Sequence, residues 1–228
     1  MKKILVLNGR YYYRAVKHLG MCVFDIDDFY ENPKDYLFVL FTGGEDIHPS
    51  LYNDNSPFGV CGPYNKIRDT IEKEVFNVAY KNKVKMIGIC RGLQFLAAMA
   101  GGSLIHHIEN HGGWSGGHEM LLKTPWEGKK SILVNSYHHQ AVLPIKGVAS
   151  LVGWAPKKVA NGTYIGFNDT RLDYKGPDVE AMYLHNINGF GVQWHPESLE
   201  EDTDAYRWFN HEVENFVYNK DTKIMEAC

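Results

Sequence analysis

Short apolar runs at residues 4–7, 23–26, 36–41 and 84–89 punctuate the first half of the chain and predict buried parallel strands. Between the last two, Ile67, Ile71, Val75, Val78 and Ala79 recur at helical spacing, with Arg68, Asp69, Glu72, Lys73 and Glu74 among them. That pattern predicts an amphipathic crossover helix. Residues 92–100 are apolar nearly all round, which predicts a buried helix ended by Gly101 and Gly102. From about residue 119 the pattern shifts to short β-type runs, at 131–135, 149–154, 163–167, 179–184 and 190–194, punctuated by Gly, Asn, Asp and Pro. These are expected to form a more meandering layer. A last stripe of Tyr206, Phe209, Val213, Phe216 and Val217, with Thr203 or Asp204 as N-cap, predicts a helix that packs back on the sheet.

Strands alternating with helices over 228 residues predict one α/β domain spanning residues 1–228, with an open, mostly parallel central sheet flanked by helices and extended by further β-strands. The net charge is only −3, so a polyanion-binding surface is not favoured and nucleic acid is not an expected partner. No apolar stretch approaches a membrane span, and the first apolar run stops at Asn8, too early for a signal-peptide core. A soluble cytoplasmic protein without a membrane partner is expected. Cys22, Cys61, Cys90 and Cys228 are widely spaced with no C-x-x-C pair, which argues against a disulfide framework or a zinc-thiolate site and leaves thiol chemistry open.

The chemistry concentrates at two points. At residues 85–94 a buried strand meets a buried helix through Gly88-Ile89-Cys90-Arg91-Gly92, the spacing of a nucleophile elbow. Glycines two before and two after Cys90 let strand and helix approach closely, and force Cys90 to protrude at the helix N-terminus, where unpaired N–H groups favour a thiolate. The Arg91 N–H points to the same place and is suited to hold an oxyanion. A core cysteine is the plainer reading, but it gives no reason for glycines at both offsets. The second point is Val192-Gln193-Trp194-His195-Pro196-Glu197. In an extended segment residues two apart share a face, so Glu197 is positioned to orient the His195 imidazole as base. Alone, this reads equally well as a surface His-Glu pair.

Gly-Ile-Cys-Arg-Gly-Leu-Gln and Val-Gln-Trp-His-Pro-Glu resemble class I glutamine amidotransferase domains, in particular the hydrolase branch of γ-glutamyl-γ-aminobutyrate hydrolase type. Ordered blocks at residues 42–52, 68–69, 101–104, 134–140 and 179–181 carry the resemblance along nearly the whole chain. It implies a flavodoxin-like class I glutamine amidotransferase fold, a triad of Cys90, His195 and Glu197, and an oxyanion hole of backbone N–H groups near Gly44 and Arg91. It also implies glutamyl contacts involving Gln94, Ser136 and Tyr137. The implied activity is cysteine-dependent hydrolysis of a γ-glutamyl amide in a small-molecule substrate, through a γ-glutamyl thioester, without cofactor or metal. The rival is a glutaminase subunit that delivers ammonia to a synthetase partner. Read from the residues alone, Gly43-Gly44 fits a simple turn as well as a donor loop, and Gln94 reads as a buried amide satisfied by backbone.

Eleven histidines raise the question of metal, but no H-E-x-x-H or Cys/His ligand spacing appears, so His106, His107, His111, His118, His138 and His139 are expected to line a pocket or face solvent. Residues 111–118, four glycines around Trp114, fit a mobile lid or a plain connector.

Overall fold

The apolar runs of the first half become parallel strands because both of their faces are covered. The computed structural model describes residues 2–52, 61–112, 117–156, 159–166 and 169–219. Strands β1 (Lys3–Val6), β2 (Met21–Val23), β3 (Tyr36–Phe41) and β4 (Lys85–Ile89) alternate with helices α1 (Ile26–Glu31), α2 (Lys66–Lys81) and α3 (Arg91–Met99). β1 pairs in parallel with both β2 and β3, and β3 with β4. Successive side chains then serve two different cores: Leu5, Val39 and Phe41 join one, while Ile4, Val6, Phe38 and Leu40 join the other.

Two expectations for this half change. The run at 23–26 stops being a strand at Val23, because the Asp25 carboxylate accepts the Asp27 N–H at 3.0 Å and caps α1 instead. In α2, Ile67 is 74% exposed, and the buried face carries Arg68, Asp69 and Glu72 beside Val75, Phe76 and Ala79. Charged side chains buried on one end of a helix need partners, and these find them at the head of α3.

In the second half come β5 (Leu104–Ile105), β6 (His107–Ile108), β7 (His118–Trp126), β8 (Lys129–Val134), β9 (Ala141–Val142), β10 (Ala149–Ala155), β11 (Tyr164–Ile165), β12 (Asp178–Leu184) and β13 (Gly189–Val192). They do not form a separate layer. One nine-stranded sheet runs in the order β2-β1-β3-β4-β13-β12-β10-β7-β8. β13 lies parallel to β4, and from β12 outward the pairing is antiparallel. The small pairs β5 with β9 and β6 with β11 stand apart. The run at 163–167 shortens to Tyr164–Ile165, and its Phe167 lies outside the described residues. β7 escapes the hydrophobic pattern because four of its nine positions, Glu119, Lys123, Thr124 and Pro125, face solvent.

Helix α4 (Asp204–Tyr218) is capped by Thr203, whose hydroxyl accepts the Tyr206 N–H at 3.3 Å. Phe209, Val213 and Val217 bury against the core built on Ile4, Val6, Phe38 and Leu40, with Phe216 packed partly buried against it. Among the described residues no helix is long and apolar enough to cross a membrane.

Candidate active site

The placement of β13 beside β4 decides the site: in parallel strands, the carboxyl ends meet on one edge. Cys90 follows β4 there, and His195 lies three residues past the end of β13. The Cys90 N–H donates to the Val192 carbonyl at 2.8 Å, tying the two strand ends together.

At the elbow Cys90 has φ 52° and ψ −110°, a conformation that costs a non-glycine residue of order 1–3 kcal/mol. The surroundings hold it there. A Cβ on Gly88 would lie 2.5 Å from the Gly92 carbonyl carbon, and one on Gly92 would overlap the Phe41 carbonyl oxygen. Strand and helix are therefore as close as backbones allow, and the thiol sits 5% exposed at the first turn of α3.

His195 is fixed from three sides. Its N–H donates to the Asn135 side-chain oxygen at 2.8 Å, and its carbonyl accepts from the Asn135 amide nitrogen at 2.8 Å. Its Nδ1 lies 2.7 Å from Glu197 Oε1. The contact does not come from an extended strand: Pro196–Ser198 is a 3-10 turn, and Pro196, with its fixed φ and no N–H, fits the first position of that turn. Burial disfavours charge on His195, but a hydrogen bond to Cys90 and the bond to Glu197 outweigh it and raise the pKa to about 10. The imidazole is thus held as an imidazolium between sulfur and carboxylate at neutral pH.

Behind the elbow lies a buried ion network. Arg68 donates to Glu72 at 2.9 Å, to Glu45 at 2.9 Å, and to the carbonyls of Thr42 and Gly43 at 3.0 Å each. The Arg91 guanidinium pairs with both Glu72 and Asp69. Asp69 in turn accepts the His48 N–H at 3.0 Å. Helix α2 thereby locks the turn at residues 42–44 to the head of α3. Gly44, at φ 144°, is pressed against the Arg68 guanidinium with no room for a Cβ. The Arg91 guanidinium is thus taken up by Glu72 and Asp69.

The other expected contacts divide. Tyr137 is 47% exposed, and its ring stands edge-on to His195 at 5.7 Å. Ser136 is turned inward, its hydroxyl donating to the His111 carbonyl at 2.5 Å. The Gln94 amide nitrogen is occupied by the Gln140 carbonyl at 3.3 Å and by Gln193 at 3.5 Å, as the backbone-satisfied reading predicts. Half of the segment at 111–118, residues 113–116, lies outside the described residues.

Sequence reasoning missed Tyr12, whose hydroxyl would lie 2.5 Å from a Cβ at Gly43 and whose ring is 6.2 Å from His195. Burial, with Glu197 and Cys90 nearby, raises its pKa far above the ordinary phenol range, so it is a neutral donor. No periodic signal marks it. It also missed Asn135, and the Arg68 network, although charged residues at 68, 69 and 72 on a helix with a misplaced Ile67 were a signal. Nor did spacing reveal that His111, His118 and Glu180 converge closely enough to hold a cation.

Residues 35–197 match the family model described as Peptidase C26. Protein NtpR of Enterococcus hirae is 29% identical over 175 residues, covering 70% of this chain and 66% of that protein. The gamma-glutamyl-CDP-amidate hydrolase of Campylobacter jejuni is 33% identical over 160 residues, covering 70% of this chain and 61% of its own length. The chain thus spans about two thirds of the length of these relatives. A solved glutamine amidotransferase from Thermotoga maritima superposes with a TM-score of 0.53 at 14% identity, covering 96% of this chain and 86% of that one. At that identity the likeness is one of fold, and the fold is that of class I glutamine amidotransferases.

Proposed function

The chain belongs to the peptidase C26 family, and from that premise we propose that it is a cysteine-dependent hydrolase of a γ-glutamyl amide, with Cys90, His195 and Glu197 as its triad. The observation that carries the reading is the strained Cys90 at the head of α3, beside an imidazole raised to about 10 that Glu197 holds from behind. Neither the strain nor the raised imidazole has a use in a merely structural cysteine.

In the proposed reaction the Cys90 sulfur adds to the γ-carbonyl carbon, and the carbonyl electron pair moves onto oxygen. The backbone N–H groups of Arg91 and Gly44 receive that negative charge, the latter on a turn that Arg68 fixes in advance. The His195 imidazolium donates its proton to the departing amine as the carbon–nitrogen bond breaks, leaving a γ-glutamyl thioester. The now neutral imidazole takes a proton from water, which attacks the thioester, and glutamate is released as sulfur leaves as thiolate beside the restored imidazolium. Glu197 keeps the imidazole in one tautomer throughout. Tyr137 forms one wall of the glutamyl pocket, while Ser136 and Gln94 shape it through their backbone and packing.

The relative named for γ-glutamyl-CDP-amidate hydrolysis supports a γ-glutamyl compound larger than glutamine as substrate. The test is glutamate release by the purified chain alone, from glutamine and from a panel of γ-glutamyl amides, beside Cys90→Ala. Cys90-dependent release from one amide well above glutamine is expected. Release from glutamine alone, and only after a synthetase partner is added, would replace the hydrolase with an ammonia-delivering subunit.

A further inference from the structure

Away from the triad, β12 places Glu180 in the sheet interior with neither oxygen exposed to solvent, and three histidines from two other segments close around it. His118 Nε2 lies 2.9 Å, His111 Nδ1 3.3 Å and His138 Nε2 3.7 Å from Glu180 Oε1. Four-coordinate zinc, with bonds of about 2.0 Å, puts neighbouring ligand atoms about 3.3 Å apart. We propose that His111, His118 and Glu180, whose ligand atoms all lie within 4.8 Å of one another, form a structural site for one divalent cation of the zinc class, with His138, 3.7 Å from Glu180, as the neighbour that closes it as fourth ligand.

The surrounding groups are arranged as such a site requires. A ligating histidine binds through one ring nitrogen while the other is held by a carboxylate or a carbonyl. His111 has its second nitrogen, Nε2, 3.7 Å from Asp178 Oδ2. His138 has Nδ1 2.8 Å from the Gln140 carbonyl, which fixes the tautomer whose Nε2 lone pair faces Glu180. Asp178 is itself set by the Tyr164 hydroxyl, which donates to it at 2.8 Å.

Without a cation the arrangement is poorly satisfied. His111 Nδ1 and His138 Nε2, which both face Glu180, are buried and make no hydrogen bond among the described residues. Two buried carboxylates beside three imidazoles are what a dication neutralises, and three nitrogens with one oxygen suit zinc better than magnesium or calcium. With His138 as fourth ligand no position stays open, so the cation would bind no substrate. It would instead pin His138, next to Tyr137, and the two ends of the 111–118 segment to β12. The Ser136 hydroxyl and the His138 N–H already converge on the His111 carbonyl.

The experiment is metal analysis of the full chain, purified without a histidine tag and dialysed free of loose metal. About one zinc per chain is expected for the wild type and for Cys90→Ala, and about a tenth of that or less for His118→Ala. Wild type stripped by a chelator is expected to regain one equivalent of Zn²⁺, and to melt about 5 °C or more higher when it does. Stripped wild type also decides the matter should His118→Ala fail to fold. If it takes up no stoichiometric Zn²⁺ and its melting point does not move, the cluster is a hydrogen-bonded network of histidines and carboxylates and the site does not exist. Retention of the metal by a folded His118→Ala would equally overturn the assignment.

Discussion

Two histidine–carboxylate sites share this sheet, and they are assembled in opposite ways. His195 and Glu197 are two residues apart and meet within one 3-10 turn. His118 and Glu180 meet across 62 residues of chain, by way of two antiparallel pairings, and His111 and His138 arrive from the loops on either side of β7 and β8. The first has one imidazole between a carboxylate and a sulfur, which is what moving one proton needs. The second has three imidazoles around one carboxylate, more nitrogen than a proton relay uses and enough to fill a coordination sphere. Similar residue types thus point to different chemistry once their number and enclosure are counted.

The sharpest way to separate the two is by deletion. Cys90→Ala is expected to lower kcat/KM for the preferred γ-glutamyl amide by about 10⁵-fold, since catalytic groups that act as a unit fail together. His118→Ala, assayed at a temperature where it stays folded, is expected to keep activity within about tenfold of wild type, because it touches no reacting atom. Equal losses in both would mean that the two sites are one.

Next in size is the backbone of the elbow. Gly92→Ala drives a methyl group into the Phe41 carbonyl, and neither the strand nor the helix can yield. A loss of about 3 kcal/mol or more in urea unfolding is expected. An alanine tolerated there without cost would mean that the close approach does not hold Cys90 in its strained conformation.

The electrostatic half of the comparison is read from pH. Although burial alone would lower it, contacts with Cys90 and Glu197 raise His195 from 6.5 to about 10. The imidazolium is therefore present below that pH and lost as the pH rises through it, so kcat/KM should fall on the alkaline side near pH 10. Glu197→Gln removes one of the two stabilising partners. It should lower kcat/KM by about 10–100-fold and move the alkaline fall toward neutrality. A fall that stays in place would take Glu197 out of the proton chemistry. The smallest effect is expected from Tyr137→Ala, a rise in KM of about three- to tenfold with kcat little changed, as suits a pocket wall.

The same contrast explains what could be read from the sequence. Cys90, His195 and Glu197 were legible because each is announced within five residues: glycines at both offsets in one case, a His-Pro-Glu run in the other. The parallel strands were legible because a strand buried on both faces must be continuously apolar. Glu180 was seen only as one member of a resemblance block, because its partners come through pairings that no local spacing encodes. β7, partly exposed and interrupted by Pro125, carries the decisive His118 yet has the weakest pattern of any long strand. Arg68, Asp69 and Glu72 were hidden for a different reason. Charges on a helix read as a solvated face, and only the exposure of Ile67 shows that this end of α2 is turned inward.

The central claim, a covalent γ-glutamyl bond to Cys90, is tested most directly by acid quenching during turnover of the preferred γ-glutamyl amide, followed by intact-protein and peptide mass spectrometry. The account predicts a mass increase of one γ-glutamyl group, located on the peptide that contains Cys90 and absent from Cys90→Ala. Steady release of glutamate with no adduct at Cys90, or an adduct on another residue, would contradict it.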